Sequence, residues 1–321
     1  MDKSRQARYE RTIGTTRFTE GRFSTWVSVV VNLFLSIAQA IVGVLANSQA
    51  LIADSIHSLS DLLSDFVVLV ANKHSQKAPD ADHHYGHLRF ETAASLALGV
   101  LLLAVAAGML WAGINKLQDP SAIAPVHYAA VVAAAITLVA KEGLFRYLLR
   151  VGQRVKSSML IANAWHTRSD AASSLVVLLG VGASVAGFPL ADPIAALIVA
   201  LMIGRMGWKF FYTSFSDLLD KAVDKETEIR IRNLLLSTPG VEGLHDLKTR
   251  KMGDMIWVEV DIEMDSRLTI AQGHDIAVRA RERVMENEDV LEVMTHFDPV
   301  DVNDPERVQK KMQARHDAPD H

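Results

Sequence analysis

The stretch ALIADSIHSLSDLLSD, residues 50–65, decides the fold. It is apolar enough for hydrocarbon yet carries Asp54, His57, Asp61 and Asp65. A carboxylate at mid-membrane costs about 2.5–3.5 kcal/mol on insertion scales, so it is rarely there without a partner. His57 and Asp61 stand four residues apart and therefore project from one helix face. The same spacing recurs in NAWHTRSDAASS, residues 163–174, as His166 and Asp170. Two such helices packed face to face would offer two imidazole nitrogens and two carboxylate oxygens. That tetrahedral set suits Zn2+ or a similar divalent ion. The expectation is a membrane carrier of divalent metal.

Outward from this stretch the chain divides by composition. Of 321 residues, half are hydrophobic, but long apolar runs end near Phe215 and the remainder is polar and charged. A spanning helix needs about 20 apolar residues. Six candidates meet that requirement: Phe23–Leu45, Leu51–Ala71, Thr92–Asn115, Val126–Leu148, Met159–Ala186 and Leu190–Phe211. Basic residues crowd the first 22 positions and the loops after the second and fourth spans, while Ala46–Ala50, Gln118–Pro125 and Gly187–Pro189 on the opposite side have none. The positive-inside rule then places both termini in the cytoplasm. The expected domains are a cytoplasmic segment 1–22, a six-helix membrane domain 23–213, a cytoplasmic α/β domain 214–298 and a disordered tail 299–321.

The second and fifth spans run in opposite directions. Asp61 lies roughly 16 Å below the outer end of its span at 1.5 Å per residue, and His166 and Asp170 lie at comparable depth in theirs. The two pairs can meet near the midplane, where transporter sites tend to sit. Helix-to-helix glue is the competing reading for any one polar residue in a bundle, but two matched pairs outweigh it. Asp54 and Asp65 extend the same face and are possible relays for ions or protons, with glue as the alternative. Asn163 stands one turn before His166 as a candidate outer donor.

ALIADSIHSLSDLLSD and NAWHTRSDAASS resemble the second and fifth transmembrane helices of the cation diffusion facilitator family. The loop DADHHYGHLRFE and the run FPLADPIAALIVALMIG resemble that family at matching places, so the similarity runs from about Thr25 to Asp298. The resemblance implies a homodimeric antiporter of zinc or a related metal against protons, with His57, Asp61, His166 and Asp170 as its transport site. A first ligand that is His, where members with broader choice often have Asp, favours zinc over cadmium. The chemistry supports proton coupling independently, because imidazoles and carboxylates lose protons before they bind metal. The family also implies a second metal site at Asp80, His83 and His87. Spacing alone leaves open whether Asp80 or Asp82, and His83 or His84, would coordinate. Arg89 and Asp220 match a pair that ties the loop to the domain boundary.

Residues 224–298 read as αββαβ. Asp224–Ser237 has helical spacing and stops at Thr-Pro-Gly. Gly243–Lys251 and Met255–Met264 alternate as strands, with Ile256, Val258, Val260 and Ile262 on one face. Thr269–Glu286 is helical again, and Val290–Phe297 is the last strand. The order suits a small sheet covered on one side by two helices and resembles the family's ferredoxin-like cytoplasmic domain. By the same resemblance His245, Asp261, His274, His296 and Asp298 match metal sites at a dimer interface. Asp261 stands where the family template often has His.

Composition excludes several classes. With no cysteine there are neither disulfides nor thiolate sites, and a net charge of −4 gives no hint of nucleic acid. No His-Glu-x-x-His helix points to catalysis and no Gly-rich phosphate loop points to a pump, so an enzyme is not expected. The expected partners are a second copy of the chain, the lipid bilayer, divalent metal ions and protons. Fe2+, Co2+, Ni2+ and Mn2+ remain alternative cargoes to Zn2+, and a non-transporting metal sensor or scaffold is the rival function. The expected location is a bacterial inner (plasma) membrane, with an organelle left open. His316 and His321 in the tail are read as incidental.

Overall fold

The computed structural model describes residues 15–75, 77, 79–119, 123–154 and 158–304. Six long helices come first: α1 (Thr15–Leu45), α2 (Gln49–Ser75), α3 (Arg89–Gln118), α4 (Tyr128–Arg154), α5 (Ser158–Val185) and α6 (Ala191–Leu218). They are followed by α7 (Lys225–Leu236), β1 (Gly243–Met252), β2 (Met255–Asp265), α8 (Ile270–Asn287) and β3 (Val290–Val300). Two bodies result: Met1–Leu69 with Ser95–Phe211, and Val70–Ala94 with Tyr212–His321.

In the first body, five helices hold stretches long and apolar enough to cross a membrane: Trp26–Leu45, Arg89–Gln118, Tyr128–Arg154, Asn163–Val185 and Ala191–Leu218. α2 is not among them, because polar residues, Asp54, His57, Asp61 and Asp65 among them, interrupt its apolar run. At 27 residues it is nonetheless long enough at about 1.5 Å per residue. Its Ala50, Leu51 and Ala53 also share a buried core with Leu102, Ala134, Val177 and Val199 from four neighbouring helices. The molecule is a six-helix membrane bundle with a small α/β domain.

The helices overrun the expected spans at their charged ends. α3 begins at Arg89 rather than Thr92, α4 continues past Leu148 to Arg154, and α6 continues past Phe211 to Leu218. Hydropathy marks where hydrocarbon stops, whereas i to i−4 hydrogen bonding continues into polar surroundings wherever helix formers allow.

Two features fix the bundle. α3 and α6 approach at glycines: a Cβ on Gly99 would sit 2.5 Å from the Phe211 nitrogen, and one on Gly207 would sit 2.9 Å from Leu102 Cβ and 3.0 Å from the Leu103 nitrogen. Small residues permit such backbone contact between membrane helices. At the start of α2, buried Asp192 from α6 accepts from Ser48 Oγ (2.5 Å), Gln49 N (2.7 Å) and Ala50 N (3.3 Å). A helix start leaves orphan N–H groups, and here a carboxylate from another helix takes two of them.

In the second body, the sheet has the order β1-β2-β3, with β1 antiparallel and β3 parallel to β2. Val258, Val260, Ile262 and Met264 alternate inward from β2 against Ile231 and Leu235 of α7 and Ala277, Ala280 and Val284 of α8. Asp224 caps α7 by accepting from Thr227 N at 2.9 Å, and Thr269 with Gln272 forms a capping box on α8. Strand alternation turns Asp261 to the face away from the helices, and the register sets it opposite His296 on β3.

Candidate metal transport and metal-binding sites

Within the bundle, His57, Asp61 and Asp170 each offer a ligand atom within 4.8 Å of the others. His57 is buried, and its Nδ1 lies 3.8 Å from Asp61 Oδ2, too far for a hydrogen bond. That nitrogen is buried with no hydrogen-bond partner. An orphaned imidazole nitrogen facing two carboxylates is costly by itself and fits a cation held between them. His166 lies 3.8 Å from Asp170 Oδ2 through its Nε2, but its side chain is 58% exposed and it stands outside the close cluster. Both it and Asn163 still line the same cavity of about 50 Å3, together with Ser58, Asp61, Lys141 and Asp170. A water needs about 10–15 Å3 of such space, so the cavity admits an ion together with a few waters. The structure thus brings three of the four expected ligands together and sets the fourth at the rim.

Asp54 is not among the residues lining that cavity. It accepts from Gln39 Nε2 (2.7 Å), Ser173 Oγ (2.9 Å) and Ser174 Oγ (2.7 Å), and Lys141 Nζ lies at 3.7 Å. Both Asp54 oxygens are thus engaged by donors, the helix-to-helix contact weighed beside the relay role. The side chain of Asp65 and the tail histidines His316 and His321 lie outside the described residues.

In the second body, Asp80, His83 and His87 also come within 4.8 Å of one another. Asp80 Oδ1 accepts from the backbone nitrogens of His83 (2.7 Å) and Asp82 (3.0 Å), which pins the carboxylate between the two imidazoles. The His83 backbone N–H, above all, holds the Asp80 carboxyl below its ordinary range. His87 Nε2 is 3.3 Å from Asp80 Oδ2, and its buried Nδ1 has no partner. Gly86 turns the loop with φ +78°, a conformation in which other residues are strained. Of the residues that spacing leaves open, Asp80 and His83, not Asp82 and His84, come together with His87. Arg89, at the head of α3, pairs with Asp220, which also faces Arg250 Nη1 at 3.8 Å.

On the exposed sheet face, His245, Asp261 and Asp298 form a third close group. His245 Nδ1 is 3.3 Å from Asp298 Oδ2, and His296 Nδ1 is 3.6 Å from Asp298 Oδ1 and 3.8 Å from Asp261 Oδ1. His274 does not join them. It lies on α8, which covers the other side of the sheet.

Reading by pattern missed Lys141, Gln39, Ser173, Ser174, and the pair Asp192 and Ser48. Lys141 was detectable: Ala130, Ala134, Thr137, Lys141, Leu144 and Leu148 all lie on one buried stripe of α4, so its ammonium had to point inward.

A six-helix bundle with an inward His/Asp cluster and an appended α/β module defines a membrane carrier of metal cations. Residues 25–219 match the family described as "Cation efflux transmembrane domain", and residues 223–300 match "Cation efflux protein, cytoplasmic domain", a dimerising module. The chain belongs to the cation diffusion facilitator family, whose members are transporters and not enzymes. It is 34% identical over 295 residues to Metal tolerance protein C1 of Arabidopsis thaliana, covering 87% of this chain and 63% of that one. It is 33% identical over 261 residues to Magnetosome protein MamB of Paramagnetospirillum magneticum (81% and 88% covered). It is 31% identical over 282 residues to Manganese efflux system protein MneP of Bacillus subtilis (85% and 94% covered). Among solved structures, a copper form of the MamM CTD is similar at 23% identity and a TM-score of 0.24, covering 25% of this chain and 89% of that one.

Proposed function

We propose that this protein exports divalent metal, Zn2+ foremost, from the cytoplasm in exchange for protons, as a homodimer that alternates access across the membrane. The observation that carries the reading is the buried His57, its Nδ1 orphaned, grouped with Asp61 and Asp170 so that one ligand atom of each lies within 4.8 Å of the others, with a small cavity that the two carboxylates line. Nitrogen and carboxylate donors together suit Zn2+, whereas an all-oxygen set would suit Mn2+. Metal binding to these groups expels protons, so acid on the far side drives release and neutral cytoplasm favours loading.

The name of the Bacillus subtilis relative, a manganese efflux system, makes Mn2+ the first rival cargo, with Fe2+, Co2+ and Ni2+ behind it. The exposed clusters at Asp80–His87 and His245–Asp298 suit regulation by cytosolic metal, which requires tighter binding in one state than in the other.

The test is flux into proteoliposomes loaded with a zinc dye under an imposed pH difference. Proton-dependent Zn2+ entry should disappear in His57→Ala with Asp61→Ala while the protein stays folded. Flux retained in that double variant would refute the site. Absence of flux for all five metals in the wild type would instead favour a sensor, in which His245→Ala and not His57→Ala abolishes the response.

A further inference from the structure

Lys141 is buried in the membrane bundle with its ammonium among three oxygen partners. Nζ lies 3.0 Å from Ser58 Oγ, 3.5 Å from the Asp170 carbonyl oxygen and 3.7 Å from Asp54 Oδ2. Its side chain is 2% exposed. It lines the same small cavity as Asp61, His166 and Asp170. The nearby cation on α5, Arg168, is stacked on the rings of Phe145 and Trp165 at 4.8 and 5.4 Å, so it is engaged elsewhere.

An isolated ammonium in hydrocarbon is expensive, and Asp54 alone would suffice to neutralise it. The placement does more than that, because Lys141 reaches past Asp54 to the backbone of a cargo ligand. Among the described residues around the site, taken at formal charge, the carboxylates of Asp54, Asp61 and Asp170 exceed the Lys141 ammonium by two. One doubly charged ion restores neutrality.

We propose that Lys141 is the fixed counter-cation of the transport site: it matches the bundle's charge to a divalent cargo and weakens the hold on that cargo enough for release. The proposal rests on the transport reading above. It differs from a scaffold role in the sign of its effect. Deleting a scaffold loosens ligands and weakens metal binding, whereas deleting a repelling charge strengthens it.

The experiment measures Zn2+ affinity of the full-length protein in detergent by competition with a chromophoric chelator. The parent carries Asp80→Asn and His245→Ala to silence the exposed clusters, and the transport-site signal is the binding that Asp61→Asn removes. Lys141→Gln should bind Zn2+ at least about tenfold more tightly than the parent, by the Coulomb term for a unit charge in a low-dielectric site. Lys141→Gln with Asp54→Asn restores the charge difference and should return affinity to within about threefold of the parent. Unchanged or weaker binding in Lys141→Gln overturns the proposal. So does a double variant that stays tight or falls tenfold below the parent, and this second arm decides the matter if the single variant does not fold. A parent with no binding removable by Asp61→Asn would bring down the transport reading itself, a different outcome from either.

Discussion

Replacing Asp192 should loosen the helix that carries His57 and Asp61. Its two oxygens serve three donors: Oδ1 takes Ser48 Oγ and Ala50 N, and Oδ2 takes Gln49 N. Asp192→Ala leaves two backbone N–H groups at the head of α2 without acceptors. The Ser48 O–H loses its acceptor as well but can rotate toward another, and its oxygen still accepts from Leu51 N at 3.1 Å. A buried unsatisfied donor costs about 1–3 kcal/mol, so the two sum to about 2–6 kcal/mol. Asp192→Asn keeps one carbonyl oxygen but turns an amide NH2 toward an N–H, so it should cost about 1–3 kcal/mol, roughly half as much. The assay is equilibrium unfolding in mixed micelles, together with metal flux in proteoliposomes. Flux should fall with stability, since His57 is two turns along the same helix. An Asp192→Ala protein within about 0.5 kcal/mol of the wild type would refute the argument, as would Asp192→Asn being the more damaging of the two.

Other outcomes follow from single contacts. Gly99→Ala places a methyl 2.5 Å from the Phe211 nitrogen, so α3 and α6 must part; overpacking of this kind costs about 1–3 kcal/mol, read as a lower unfolding midpoint that an unshifted midpoint would contradict. Asp265 is held down to about 2 from 3.8 by the Arg267 guanidinium, which donates to it at 2.6 and 3.0 Å. Because the folded carboxyl titrates below its ordinary value, its contribution is present above about 4 and is lost as pH falls toward 2; carboxyl NMR showing an ordinary midpoint would contradict this. In the full-length protein, His245→Ala and Asp298→Asn should weaken Zn2+ binding on the sheet face by tenfold or more, in line with loss of a metal ligand, while His274→Ala should leave it unchanged, as titration calorimetry will report.

Periodicity made the order of elements legible because each rests on local chemistry. Alternation on β2 and helical spacing on α7 and α8 follow from which face is buried, and the six spans follow from the cost of placing backbone in hydrocarbon. What the sequence left open was rotation. Spacing of four puts His166 and Asp170 on one face of α5 but does not state how far that face turns toward α2, and His166 is left half outside. Asp54 illustrates the same limit: its phase matches His57, yet partners on α1 and α5 separate in sequence by 15 to 120 positions capture it. His274 was grouped with its counterparts by resemblance, and only the layering of helix against sheet shows that within one protomer it stands apart from the His245 group. Asp192 escaped notice because a cap from a distant helix leaves no trace in the local pattern of α2.

The contact between α3 and α6 divides the labour of movement inside the bundle. Where two helices meet through long side chains, one can slide past the other by changing rotamers. At Gly99 and Gly207 peptide groups meet peptide groups, and there is nothing flexible between them to yield. In the alternating cycle proposed above these two helices travel as a single strut, and the opening that exposes His57 and Asp170 first to one side and then to the other falls to the remaining four turning against it.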